Sequence, residues 1–469
     1  TRVLVSGDRA LMRIEMVAEP RRITDAVRYQ WALLPTPAKP MNQELNHELY
    51  LVQSGMSFDP ETEDLRPDLT NLYRDIVENG ANAINVWAFG WRDDPRVSTS
   101  LWNPDFAGPG LNPDTPRNDL RQRLLKKAVR AAHDAGFRWV TFYMLWHAPS
   151  NEEWANLHGV FGNEMYRWPL IPSFGGYVFE PTPVFADWYL SVLKNTVESL
   201  DIDGMYQDSS PHRQISTNPF TGSGWTDEKG GKHGRYPIFD TREFHKRIWY
   251  YLHHQLGKDA LIYAHNTHMS FPVVESFTDI GHRGEGSALN PDHMLGKWYG
   301  YPVGQASTWT RWNNPVYDET RMASWRLSLM LDIDLKAHPA FLEDGKDTQR
   351  NYDLRSYPIR YLWQAWQDYD WSNSVWVNVW RADRFVQTGD SKVWAALHYN
   401  KGKEALLVVS NFREDAYSGR VTVDWERLGF DPARVTVTDV VLGQRIPSEK
   451  AGIPLAIEPQ RFRYLHLRR

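Results

Sequence analysis

The stretch Asp203-Gly-Met-Tyr-Gln-Asp208-Ser-Ser-Pro211 decides the fold. A short apolar run ends on a carboxylate and breaks at once into turn-forming residues, as a buried strand does when it leaves a sheet. Seven more runs of strand length surround it, at 48–53, 83–89, 139–145, 260–264, 277–281, 301–306 and 331–336. Stretches of helical periodicity separate them, at 65–79, 119–135, 183–200, 241–256, 291–298 and 318–330, with a last one at 354–369. Near-continuous apolar runs alternating with helices are the mark of a parallel sheet buried on both faces. Eight such units predict an α/β fold, a (β/α)8 TIM barrel. Asn79-Gly80 and Ala135-Gly136 read as helix ends, with glycine in the left-handed position.

Beyond residue 373 the pattern changes to alternating strands at 375–381, 392–399, 404–411, 420–424, 434–439 and 461–468, which predicts a C-terminal antiparallel β-sandwich. Upstream, Pro35-Thr-Pro-Ala-Lys-Pro40 is a linker-like break. The expected domains are therefore 1–34, the end of an N-terminal β-domain or lead-in strands; 35–372, a catalytic barrel; and 373–469, the sandwich. The 469 residues fit one barrel of about 250 residues or more plus a small domain. Residue 1 reads as a domain already under way, so further sequence is expected upstream.

Bulk properties narrow the function. The 53 basic and 58 acidic residues are interspersed, with no basic face of the kind that binds nucleic acid. No apolar run reaches the 18 or so residues of a membrane span. Without cysteine there is no disulfide, thiolate zinc site or cysteine nucleophile. A periplasmic or extracellular location is expected. Aromatic residues reach 13%, with 22 tryptophans, a supply of flat rings for the apolar faces of sugars as well as for the core.

On a barrel, chemistry sits at the C-terminal ends of the strands. The long segments 146–182 and 209–240 follow the third and fourth strands and are rich in Gly, Pro, Trp, Asn and His, as catalytic loops are. Asp208 ends the fourth strand, where an ionised carboxylate can attack an anomeric carbon without an activating base. The plainer alternative is an aspartate capping the next turn. Glu285, set between Gly284 and Gly286, is the candidate acid/base, against the alternative of a surface pair with Arg283. Asp279 competes for that role from within the strand, or is a structural group at the rim. Candidate substrate-binding residues are Trp87, Trp91, Trp146, His147, Tyr206, His265, Asn266, Arg283, Trp309 and His338. His265 and His268 lack a partnering carboxylate at helical spacing, so no metal and no cofactor are expected. Phosphate-binding loops, dinucleotide fingerprints and serine elbows are absent from the sequence.

Several segments resemble a bacterial glycoside-hydrolase-like domain family of unknown function: Trp31-Ala-Leu-Leu-Pro-Thr-Pro-Ala-Lys-Pro40, Gly204-Met-Tyr-Gln-Asp208, Asp240-Thr-Arg-Glu-Phe-His-Lys-Arg247, His265 and Gly284-Glu285. The resemblance covers residues 28–370. More distantly, the order of motifs is similar to the α-galactosidase and endo-α-N-acetylgalactosaminidase barrels. It implies an aspartate nucleophile at the end of the fourth strand, matched by Asp208, and a later acidic acid/base, matched in order by Glu285. The expectation is a retaining glycoside hydrolase on an α-linked oligosaccharide or polysaccharide. A non-catalytic carbohydrate-binding barrel and a polysaccharide lyase stand beside it.

Overall fold

The computed structural model describes residues 2–6, 9–13, 22, 45, 51–54, 62, 64–65, 67–86, 116–144, 147–148, 162–167, 177–207, 215–217, 224–265, 272–284, 306–309, 326, 329–332, 334–335 and 358–469. The chain forms two compact units, Thr1–Pro35 and Thr36–Arg469. The first holds an antiparallel hairpin of β1 (Arg2–Ser6) and β2 (Arg9–Arg13).

The second unit opens with β3 (Leu51–Ser54), helix α1 (Pro67–Glu78), β4 (Ala83–Val86), α2 (Pro116–Ala135) and β5 (Trp139–Met144). A small three-stranded sheet follows, of β6 (His147–Ala148), β7 (Gly162–Arg167) and β8 (Tyr177–Phe179). Next come α3 (Pro183–Leu200), β9 (Gly204–Gln207), the hairpin β10 (Trp225–Thr226) and β11 (Lys232–His233), and α4 (Ile238–Tyr250). Then β12 (Leu261–His265), α5 (Pro272–Glu275), β13 (Ile280–Gly284), β14 (Ala306–Trp309), β15 (Asp334–Leu335) and α6 (Pro358–Gln367) complete this half.

The parallel sheet runs β15-β14-β13-β12-β9-β5-β4-β3. Every neighbour is the next sheet strand along the chain, and every pair is parallel. Each overlaps one of the eight expected runs, but β13 begins three residues after the start of the expected 277–281 and β14 shares only Ala306 with the expected 301–306. Among the described residues no pairing joins β3 to β15. Local chemistry explains the joints. Thr182 caps α3, accepting from the Phe185 amide at 3.1 Å, and Pro183 takes the first helical position. Gly80 and Gly136 end their helices at φ of 103° and 106°, where a side chain would be strained. Gly204 opens β9 so close to its neighbour that a Cβ would lie 1.9 Å from the Leu261 carbonyl oxygen.

The remaining strands are β16 (Val375–Val377), β17 (Val386–Gln387), β18 (Val393–Asn400), β19 (Glu404–Asn411), β20 (Tyr417–Val423), β21 (Thr436–Asp439), β22 (Gln444–Ile446), β23 (Ile453–Ile457) and β24 (Phe462–Arg468). They make a six-stranded sheet, β16-β18-β19-β24-β21-β22, and a three-stranded one, β17-β20-β23. One buried cluster joins Leu397, Leu407 and Leu465 of the large sheet to Val421, Val423 and Leu455 of the small one. The alternate residues Ala396, Leu406, Val408, Phe462 and Tyr464 belong to the cluster of the parallel sheet's helices instead. This double burial is why β19 reads as an unbroken apolar run. Polar bonds fix the seam: Trp366 Nε1 donates to Tyr464 Oη at 2.8 Å, Arg468 to the Asp368 carbonyl at 2.8 Å, and Ser410 Oγ to the Arg326 carbonyl at 2.9 Å.

Candidate active site

Strand alternation separates the two faces of the parallel sheet. Ile84, Val86, Val140, Phe142, Met205 and Ile262 pack with Tyr73, Leu124, Phe185 and Phe244 of the helices. The alternate positions carry another chemistry: Asn85, Thr141, Tyr206, Tyr263 and His265, all buried. Thr141 Oγ1 donates to Asn85 Oδ1 at 3.2 Å. Further toward the strand ends, the rings of Tyr206 and Tyr263 lie 4.6 Å apart. The His265 ring comes next, 6.0 Å from Tyr206 and tilted 32° to it. The face away from the helices thus runs from a hydroxyl–amide pair, through two phenols, to an imidazole at the C-terminal ends.

The register extends that last level across the sheet. His265 pairs with His282, His282 with Thr308, and Thr308 with Asp334. Between His282 and Gly284 the register shifts: Gly284, not residue 283, pairs with Trp309. One extra residue is therefore accommodated in β13, a bulge of the kind that re-aims a strand end.

Of the candidate residues, Tyr206 and His265 are brought together on this face. The backbones of His147, Arg283 and Trp309 belong to β6, β13 and β14. Asp208, Glu285, Trp87, Trp91, Trp146, Asn266 and His338 lie outside the described residues. The run 240–247 forms much of α4, whose buried residues Thr241, Phe244, His245 and Ile248 follow helical spacing. Burial pushes the His245 pKa down to about 3, so this histidine is a neutral packing group at ordinary pH.

Two features escape the sequence reading. Glu180, fully buried just ahead of the α3 cap, accepts a 2.5 Å hydrogen bond from Ser216 Oγ. It ties the segment after β5 to the segment after β9. The hint in the sequence is an acidic residue wedged into Phe179-Glu-Pro-Thr-Pro183. The second is the hairpin β10–β11. Trp225 is 49% exposed and stacks on His233, with centroids 4.3 Å apart and planes 18° off parallel. His233 Nε2 meets Asp227 Oδ2 at 2.7 Å, and Asp227 Oδ1 accepts from the Lys229 and Gly231 amides. The His233 hydrogen bond, with these amides, holds the Asp227 carboxyl below the usual range.

Among the described residues no three acidic, histidine or cysteine side chains gather as metal ligands would, and no helix is long and apolar enough to cross a membrane. A cavity of about 390 Å³ lies at the seam between α6 and the large C-terminal sheet, against Tyr361, Gln364, Thr438, Arg445 and Arg468. None of its lining residues belongs to the parallel sheet, so it is separate from the strand ends.

Residues 358–459 match the family model "Glycoside hydrolase 123, C-terminal domain". No curated protein matches the chain. Among solved structures, a noncanonic maltogenic α-amylase from Thermotoga neapolitana aligns over 91% of this chain and 100% of its own, with a TM-score of 0.57 and 14% identity. An α-amylase from Lactobacillus plantarum aligns over 91% and 100%, with a TM-score of 0.58 and 9% identity. An α-galactosidase from Geobacillus stearothermophilus, solved with stachyose, aligns over 90% of this chain and 55% of its own, with a TM-score of 0.54 and 12% identity. At such identities the likeness speaks to fold. In fold over most of its length, and in sequence over its C-terminal sheets, the chain is similar to glycoside hydrolases, and the two likenesses together support a glycosidase.

Proposed function

We propose that the protein is a retaining glycoside hydrolase on an α-linked glycan, working at the mouth of a closed (β/α)8 barrel, with Asp208 as nucleophile and Glu285 as acid/base. The observation that carries this reading is the register at the strand ends. His265 pairs with His282, His282 with Thr308, and Thr308 with Asp334, so polar residues follow one another where the strands end, and Asp208 is the acidic residue that follows β9 in the sequence. β13 carries a bulge between His282 and Gly284, of the kind that re-aims a strand end, and Glu285 is the acidic residue that follows it in the sequence. A glycosidase pair needs both carboxylates on one face, and this reading puts Asp208 and Glu285 there.

In this mechanism the Asp208 carboxylate bonds to the anomeric carbon as the bond to the leaving oxygen breaks. Glu285 gives its proton to that oxygen. Water then yields a proton to Glu285, its oxygen attacks the anomeric carbon, and Asp208 is released. His265 and Tyr206 contact sugar hydroxyls from below the pair. A carboxyl separation of about 5–5.5 Å belongs to this route, and about 6.5–9.5 Å to inversion. A periplasmic or extracellular site of action fits a glycan substrate.

The deciding experiment is a screen of aryl α- and β-glycosides and natural polysaccharides with the full chain, following the anomer of the first product by NMR. Release of an α-anomer from an α-glycoside supports the proposal. Release of the β-anomer first replaces retention by inversion. An unsaturated, ultraviolet-absorbing product makes the protein a lyase, and glycan binding without turnover makes it a binding barrel.

A further inference from the structure

We propose that the hairpin β10–β11 is a saccharide-binding platform, with Trp225 as its stacking surface, for the part of the glycan that extends beyond the carboxylate pair. The inference deepens the glycosidase reading and rests on it for the identity of the chain bound. Three observations carry it.

The first is position. The hairpin lies between β9 and α4, in the connection that leaves the C-terminal end of β9. Its base is held to the segment ahead of α3. Ser216 and Arg235 exchange backbone hydrogen bonds of 2.8 and 3.0 Å, and Ser216 Oγ reaches Glu180, two residues ahead of the α3 cap. The base of the hairpin is thus tied to the segment that leads into α3, the helix between β5 and β9.

The second is the ring itself. A single exposed aromatic needs no explanation on a protein surface. Trp225 differs because its indole is held parallel to the His233 imidazole, and that imidazole is tethered through Nε2 to Asp227. One face of the indole is backed, and the ring is held flat. A pyranose offers an apolar C–H face of matching size, and the rest of its surface is hydroxyl. A flat aromatic wall beside a few polar groups is what such a ligand needs.

The third is rigidity. Asp227 fixes the turn, through two amides to its carboxylate and through its own amide to the Gly231 carbonyl at 2.9 Å. A surface already ordered loses little freedom when a ligand binds. Exposed Lys229 and Lys232 flank the turn and supply donors to hydroxyls.

The test compares wild type with Trp225→Ala, Trp225→Phe and, as a control at the turn, Glu228→Ala, all in the full chain. Two quantities are read: kcat/KM on the aryl glycoside that the wild type hydrolyses, and kcat/KM on the six-unit oligosaccharide of the same sugar. Trp225→Ala is expected to lower the oligosaccharide-to-aryl ratio about ten-fold, the worth of one stacking contact. Trp225→Phe should keep part of the ratio and Glu228→Ala all of it. In parallel, native gels containing soluble starch, galactomannan or arabinogalactan should retard the wild type in at least one case, and Trp225→Ala less. An unchanged ratio, or equal retardation of wild type and Trp225→Ala, overturns the platform, as does retardation of neither. If no chain turns over any glycoside, the catalytic reading has failed and the gels alone decide the platform.

Discussion

The two ends of the parallel strands carry the same residue types in different arrangements. At the N-terminal ends, aspartate and histidine bind each other. Asp203 precedes β9, and its Oδ2 receives His133 Nε2 at 2.8 Å and the Val140 amide of neighbouring β5 at 2.8 Å. Asp279 precedes β13, and its Oδ2 receives His253 Nε2 at 2.8 Å and the Ile262 amide of neighbouring β12 at 2.8 Å. The device is the same twice: an aspartate before one strand clasps the second residue of the adjacent strand and a histidine from the helical segment that leads into it. At the C-terminal ends His265, His282 and Asp334 instead fall along one row of backbone pairs, with Thr308 between the last two. An aspartate near a strand is thus uninformative until the end it occupies is known. Asp279, a rival to Glu285 for acid/base on sequence alone, is fixed as a clasp at the end away from the His265 row.

The largest effect that separates the two ends belongs to Asp208. Asp208→Asn should lower turnover on the order of 10⁴-fold, as loss of a catalytic group does, while denaturant unfolding moves by no more than about 0.5 kcal/mol. Asp279→Ala should do the reverse. It leaves a buried amide and an imidazole without their acceptor, which costs about 3 kcal/mol of stability, with turnover per folded molecule kept. A loss of turnover from Asp279→Ala at unchanged stability would invert the comparison and move the chemistry to the other end. Gly204→Ala, at the opening of β9, should cost about 2 kcal/mol or more, because its Cβ would meet backbone rather than a yielding side chain. Its urea midpoint measures this, and an unchanged midpoint would mean that β9 and β12 can move apart.

Much of this division was legible in the sequence, because burial on both faces writes itself as apolar runs. Six of the parallel strands follow from it closely, as does β19, whose two faces meet different cores, whereas β13 and β14 begin three and five residues later than their expected runs. Strands that carry no such imprint were not legible. β17 and β22 have only two and three residues. β23 holds Pro454, which reads as a break; at the edge of its sheet, paired only with β20, it is tolerated. The start of α4 at Ile238, ahead of the expected 241, reflects Pro237 as its N-cap. At the strand ends, β9 is legible as an apolar run before an acid, and that acid, Asp208, lies outside the described residues. The bulge in β13 is not legible, because a one-residue shift in pairing leaves composition and periodicity unaltered. Glu180 and the Trp225–His233 stack depend on contacts between distant or facing residues, and no local pattern records them.

Histidine–carboxylate pairs sharpen the comparison at the smallest scale, because two of them should respond to pH with opposite sign. The Asp203 hydrogen bond raises the His133 pKa, outweighing partial burial. Protonated His133 is therefore favoured by folding. Its contribution is complete below the unfolded value of about 6.5 and fades as pH climbs through the raised folded value. His466 also pairs with a carboxylate, Glu404, at 2.9 Å. There burial is the larger influence and lowers its pKa. Folding then disfavours the proton, and stability is lost as pH falls below about 6.5, where the unfolded chain takes up a proton that the folded chain refuses. Urea unfolding of wild type, His133→Gln and His466→Gln from pH 5 to 8 separates them. The advantage of wild type over His133→Gln should shrink as pH rises, and its advantage over His466→Gln should grow. Two differences running the same way would mean that burial, rather than the carboxylate, governs the clasp at His133 as well.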